Sequence, residues 1–226
     1  MEPANISLFR LDALPEDMLR VIVSKVGATS STDYGNTLLT CKSLNFNLDD
    51  PLIAKVLSLG PLVKKPHLAD RYRKMMDSLL GANNVDAHYV KGISEYFRFG
   101  NHFLGLHHLR LASKGNHKEA RYLYGVLLMA LGMIEKGKKI LTKLNKEEGF
   151  ALVESSWENI QTSLIHITVR MKDVYVKSFV SMQPELNCHP PEISTTCSKC
   201  FHFYLMSEFF EMVLGLNPAP GTEKGG

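Results

Sequence analysis

At 226 residues the chain has room for one large domain or two small ones, and a composition of 45% hydrophobic and 22% charged residues is that of a globular protein. A formal net charge of +3 without a dense Lys/Arg stripe gives no reason to expect a nucleic-acid partner. No stretch approaches the ~18 uninterrupted apolar residues of a membrane span, so no membrane partner is expected either.

The first ten residues carry no basic start followed by an apolar run, so no export signal is expected. Without one, the four cysteines belong in a reducing compartment, cytoplasm or nucleus, and close spacing reads as metal or redox chemistry before disulfides.

Patterning sharpens at Leu14. Pro15 suits a helix start, Glu16 and Asp17 complement the positive end of the helix dipole, and Met18, Leu19, Ile22, Val23 and Val26 recur at helical spacing up to Gly27. Ser30 to Asp33 offer caps for a short second helix carrying Leu38 and Leu39. Cys41-Lys42-Ser43-Leu44 opens a third, and Asp50-Pro51 a fourth with Leu52, Ile53, Val56 and Leu57.

Leu14-Pro15-Glu16-Asp17-Met18-Leu19, then Leu38-Leu39-x-Cys41-Lys42-Ser43-Leu44, then Asp50-Pro51 resembles an F-box, whose pattern is Leu-Pro-x-Asp/Glu-Leu, Val-Cys-Lys-x-Trp and Asp-Pro in that order. The likeness covers residues 11–57. It departs at Leu44, where the family usually has Trp, and at 27–35, which replaces a basic-apolar second helix. The resemblance implies a surface for the Skp-type adaptor of a cullin-based ubiquitin ligase, with Leu14, Pro15, Met18, Leu19, Ile22 and Leu44 as its apolar contacts. Some of these must instead build the module's own core, and the sequence does not divide the two groups.

Gly60-Pro61 and Lys65-Pro66 read as a hinge, because the residue before a proline leaves helical geometry, and 58–67 as a linker. Leu68, Tyr72, Met75, Met76 and Leu79 give an amphipathic helix closed by Gly81, and Asn83 or Asn84 caps the next. The chain then repeats itself. Ala87-x4-Gly92 recurs as Ala120-x4-Gly125 at an offset of 33, and Gly100, Gly105 and Leu109 recur as Gly132, Gly137 and Leu141 at 32. A period near 33 built of two helices marks a solenoid repeat, with small residues where helices approach and glycine where they end. Such repeats of Sel-one type, relatives of tetratricopeptide repeats, follow the F-box in a group of plant F-box proteins that this chain resembles. His102, His107, His108 and His117 fall in or beside the repeats at irregular spacing and read as packing or solvated histidines.

After a polar break at 145–149, Ile160, Leu164, Ile167, Met171, Val174 and Tyr175 keep helical spacing, while Ile165 to Met171 also alternates like a strand. A capping helix over the second repeat is expected. Pro184, Pro190 and Pro191 make an irregular loop leading to Cys197-Ser198-Lys199-Cys200. This Cys-x-x-Cys knuckle, with Cys188 as third ligand and His202 or His189 as fourth, suits structural zinc. A redox pair is the alternative, although no strand precedes the knuckle as a thioredoxin-like site requires. An apolar helix over 201–214 closes the fold, and 215–226 reads as a disordered tail.

No phosphate-binding glycine loop, nucleophile elbow or H-E-x-x-H motif is present. The expected fold is all-α: a small N-terminal helical F-box-like module over 11–57 and an α-α repeat domain over 68–214. The expected function is a non-catalytic adaptor that recruits a target protein. A small zinc- or thiol-dependent enzyme centred on Cys188 to His202, or a plain repeat scaffold, are the other readings.

Overall fold

The computed structural model describes residues 14–40, 42–184, 188 and 197–216. The expected landmark Cys41, residues 11–13, His189 and the tail beyond 216 lie outside them. Among the described residues the secondary structure is helical throughout, without a strand, and no helix is long and apolar enough to cross a membrane. The chain forms two compact units, one of residues up to Gly60 with Tyr72–Ala87, the other of Pro61–Arg71 with the chain from His88 onward.

In the first unit α1 (Glu16–Thr29) packs on α2 (Ser31–Thr40) and α3 (Pro51–Val56). Leu19, Val23 and Gly27 form its buried face. Gly27 does not stop the helix as the sequence suggests. It lies within the last turn, where a Cβ would meet Leu57 Cδ1 at 3.2 Å, and Ser30 closes the helix one turn later. The expected third helix is a single 3-10 turn, Lys42–Leu44, whose Leu44 is buried. Asp50 explains its own place in the pattern. Its Oδ1 accepts the Leu52 N–H at 2.9 Å to cap α3, while Oδ2 meets Arg20 Nε of α1 at 2.7 Å.

The expected linker holds α4 (Gly60–Lys64) and a 3-10 helix, Pro66–Tyr72, and only then does α5 (Arg73–Gly81) begin. The helix expected from Leu68 onward is thus 3-10 in its first part. Compactness also assigns α5 to the first unit rather than to the repeat domain. Met76 and Leu79 are buried, and just beyond α5 the Asn84 amide donates to the carbonyls of Ala54 and Leu57, each at 2.8 Å.

The repeats occupy α6 (Val85–Ile93) with its extension Ser94–Arg98, α7 (His102–Lys114), α8 (Lys118–Ala130) and α9 (Ile134–Glu148). The first three helices of this run are each followed by a residue of positive φ, Gly100, Asn116 and then Gly132, and Asn83 closes α5 in the same way. The caps repeat as well. Asn84 Oδ1 accepts the Ala87 N–H at 3.0 Å, and His117 Nδ1 accepts the Ala120 N–H at 3.3 Å. Residues 94–98 form a π turn, with the Phe99 N–H bonded to the Ser94 carbonyl at 3.0 Å. This turn holds one residue more than the regular α-helix at the same place in the second repeat, which is why the offset drops from 33 to 32 between Gly92 and Gly100.

The second repeat is covered by α10 (Phe150–Leu164), whose Val153, Trp157, Ile160 and Leu164 are buried and whose Trp157 stacks on Tyr122 at 5.6 Å. The capping helix does not continue to Tyr175 as its spacing suggests. Residues 165–172 turn the chain, and α11 (Asp173–Ser181) follows as a separate helix. The β-branched run from Ile165 to Val169 gives up helical form, and Ile167 is buried within this turn. The last helix, α12 (Ser198–Leu214), buries Phe201, Leu205, Met206 and Phe209, and its Phe210 stacks on Phe179 of α11 at 4.3 Å.

Candidate functional site

The N-terminal module separates the six apolar positions that the sequence leaves together. Leu19 is 4% exposed and Leu44 8%, so both belong to the core and not to a contact surface. Leu14 is half-buried and Pro15 is exposed. Met18 at 53% and Ile22 at 37% are open to solvent, and Val21 lies beside them on the outer face of α1. Leu52 and Val56, one turn apart on α3, are exposed as well. Val21, Leu52 and Val56 are surface residues that the pattern alone does not single out, because α1 and α3 are apolar on both faces. Glu16 and Asp17 pair with Arg20 at 2.8 and 3.1 Å on the same helix.

In the second unit, the π turn and the turn at 165–172 enclose a cleft of about 560 Å³. Arg98, His102, His166, Arg170 and Lys172 line it, and among the described residues no carboxylate does. Lys172 Nζ lies over the rings of Tyr96 and Tyr175, at 4.8 and 5.3 Å, and their hydroxyls share a hydrogen bond of 2.6 Å. Burial pulls the Lys172 ammonium below its ordinary range and pushes both tyrosines up. Sequence reasoning misses this cleft, because His166, Arg170 and Lys172 come from a segment read as continuous helix.

Of the histidines of the repeats, His108 and His117 are half-buried and His102 and His107 are exposed. His117 caps α8 and stacks on Tyr89 at 4.3 Å, and His102 Nδ1 lies 3.1 Å from the Tyr96 carbonyl. His88 and His108 meet Nδ1 to Nδ1 at 2.9 Å, with His107 edge-on beside His108. Only one of the two nitrogens can carry the shared proton in that contact. Burial first, then the neighbouring His88 and His107, pushes His108 down to about 4.

Of the expected metal ligands, the structure brings three together. The Sγ atoms of Cys188, Cys197 and Cys200 lie within 4.8 Å of one another, and none of the three is in a disulfide. Cys197 is the residue just before α12, and the backbone N–H groups of Cys200 and Lys199 hold its thiol below the ordinary range. Burial and the two neighbouring thiols push Cys200 up to about 11. His202 is not part of this cluster. It is 1% exposed, its Nδ1 faces the Ser198 carbonyl, and its Nε2 lies 3.0 Å from Thr142 Oγ1 and 3.2 Å from the Lys138 carbonyl. Nδ1 is used within α12 itself, and Nε2 seats α12 on α9.

A helical module with an apolar outer face and a tandem of paired helices define a protein of the interaction-repeat class. Residues 63–164 match the family of plant tetratrico peptide repeats. F-box protein At2g35280 of Arabidopsis thaliana is 42% identical over 144 residues, 64% of this chain and 88% of that protein. Putative F-box protein At1g67623 of the same plant is 34% identical over 139 residues, 61% of this chain and 47% of the relative. F-box protein At1g67340, also from Arabidopsis thaliana, is 28% identical over 120 residues, 52% of this chain and 32% of the relative. The chain therefore spans about half of the second relative and a third of the third. No solved structure matches it. The chain belongs to the plant F-box proteins that carry tetratricopeptide-like helical repeats.

Proposed function

We propose that this chain is the substrate-recruiting subunit of a cullin-type ubiquitin ligase, a non-catalytic adaptor at work in the cytoplasm or nucleus. Residues 11–57 dock a Skp-type adaptor, and the repeat unit holds the protein to be ubiquitinated. The observation that carries the reading is the second apolar face of α1. Leu19 and Val23 already fill the core, yet Met18, Val21 and Ile22 stay open on the same helix. An apolar face left in water beside a complete core is the mark of a partner surface. A helix that merely capped the array, as in a plain scaffold, would have no use for it.

For the target, the cleft of the repeat unit favours an acidic segment. Arg98 is already paired with Asp70 at 3.0 Å, but Arg170 and Lys172 have no carboxylate among the lining residues, and an incoming carboxylate or phosphate would supply one.

The test is calorimetric titration of the purified full chain with a Skp-type adaptor, beside a Met18→Asp, Ile22→Asp double variant. Both positions are exposed, so helicity should be unchanged while affinity falls by at least about tenfold, roughly 1.4 kcal/mol. A well-folded wild-type chain that does not bind would overturn the reading.

A further inference from the structure

We infer that Cys188, Cys197 and Cys200 hold a single zinc ion as three thiolates, and that His202 is not its fourth ligand. The geometry is that of a metal knuckle. Zinc–sulfur bonds of about 2.3 Å at tetrahedral angles place neighbouring sulfurs about 3.8 Å apart. Cys188 Sγ and Cys197 Sγ are 3.8 Å apart, and Cys200 Sγ completes the triangle within 4.8 Å. A disulfide would need sulfurs at about 2.05 Å and would leave the third thiol over.

The backbone supports the same assignment. Cys197 precedes the first turn of α12 and Cys200 lies within it, so the Cys-x-x-Cys spacing turns both thiols toward one point. Cys188 reaches that point from nine residues upstream. Soft thiolates in this arrangement select zinc over calcium or magnesium, which take oxygen ligands. His202, two residues beyond Cys200 on the same helix, is rotated to another side and is already bound at both nitrogens. The fourth position is therefore filled by a water molecule or by a donor other than His202.

The ion would clip the chain at Cys188 to the start of α12. Metal binding of this kind stabilises the fold itself, so zinc would govern the seating of α12 rather than any reaction.

The test measures zinc in the full-length chain, purified under reducing conditions with zinc supplied and then dialysed, by mass spectrometry of the metal. The wild type should hold about one zinc per chain. Cys188→Ser, Cys197→Ser and Cys200→Ser should each lose most of it. Cys188 lies outside every helix, so its variant keeps the wild-type far-ultraviolet spectrum and separates metal loss from unfolding. His202→Gln should keep its zinc while melting at a lower temperature. Cobalt in place of zinc should show thiolate-to-metal charge-transfer bands that weaken in each serine variant. A metal-free wild type, serine variants that retain zinc, or a folded His202→Gln that loses it as the serine variants do would each overturn the assignment.

Discussion

Gly92 of α6 faces Leu109 of α7 so closely that a Cβ on the glycine would lie 2.8 Å from Leu109 Cγ. The second repeat reproduces the pair, with Gly125 the same 2.8 Å from Leu141 Cγ. Each partner helix answers with a glycine of its own. A Cβ on Gly105 would sit 2.5 Å from Tyr96 Cβ, and one on Gly137 would strike Met129 and the Gly125 carbonyl. The two glycines and the leucine of each repeat are thus one interlocking contact, and both leucines are fully buried.

Gly92→Ala and Gly125→Ala should each destabilise the protein by about 1–3 kcal/mol through overpacking, read from urea unfolding. Gly35→Ala is the control of opposite sign. Gly35 lies within α2 with nothing within 4 Å of its Cβ position, so alanine there should add about 0.5–1 kcal/mol.

Leu19 and Ile22 should part company. Leu19→Ala removes a core side chain and should cost about 2–5 kcal/mol of stability. Ile22→Ala should leave the unfolding midpoint within about 0.5 kcal/mol of wild type, as expected of a surface position. Equal losses for the two variants would place Ile22 in the core and remove it from the proposed docking face.

Asn84 performs two tasks that substitution can separate. Asn84→Asp keeps the oxygen that caps α6 but loses the amide that serves the carbonyls of Ala54 and Leu57. Asn84→Ala loses both. Removing the cap costs about 0.5–2 kcal/mol. Asn84→Ala should therefore be less stable than Asn84→Ser, whose hydroxyl can still cap, by an amount in that range.

The His88–His108 pair makes stability depend on pH in the acid range. Burial holds the folded His108 at about 4, below its ordinary 6.5, so the unfolded chain binds a proton more readily than the folded one. Stability is then full above the ordinary value and falls as the pH drops from about 6.5 towards 4. The groups around the pair are His107, Lys91 and Glu95, and of these Glu95 alone opposes the shift. His108→Gln should flatten the profile across that window. An unchanged slope would show that the pair does not carry it.

Much of the fold is legible in the sequence because the repeat is written in residues with few substitutes. Gly100 and Gly132 adopt φ of +70° and +85°, a conformation that glycine alone enters freely, so their spacing reports helix ends directly. The sites are less legible. In α1 the apolar positions follow helical spacing around most of the cylinder, and only the packing of α2 and α3 decides that Leu19 is core and Met18 is surface. Between Ile160 and Tyr175 the spacing stays helical with neither glycine nor proline to interrupt it. The strand-like alternation from Ile165 to Met171 is the only mark of the turn that builds the cationic cleft, and it does not outweigh the helical spacing. His202 stands apart from the three thiols for a reason of register. Once α12 starts at Ser198, a residue two beyond Cys200 points away from the cysteines.

The π turn at 94–98 bears on how such repeats tolerate change in length. An additional residue inside a straight helix rotates everything after it by about 100°. In the first repeat that rotation is taken up within one wide turn, and Gly105 still finds Tyr96. Helix length is therefore not a rigid quantity in this solenoid. A one-residue insertion becomes local slack rather than a shift of register, and related chains of unequal repeat length can keep the same glycines face to face with their partners.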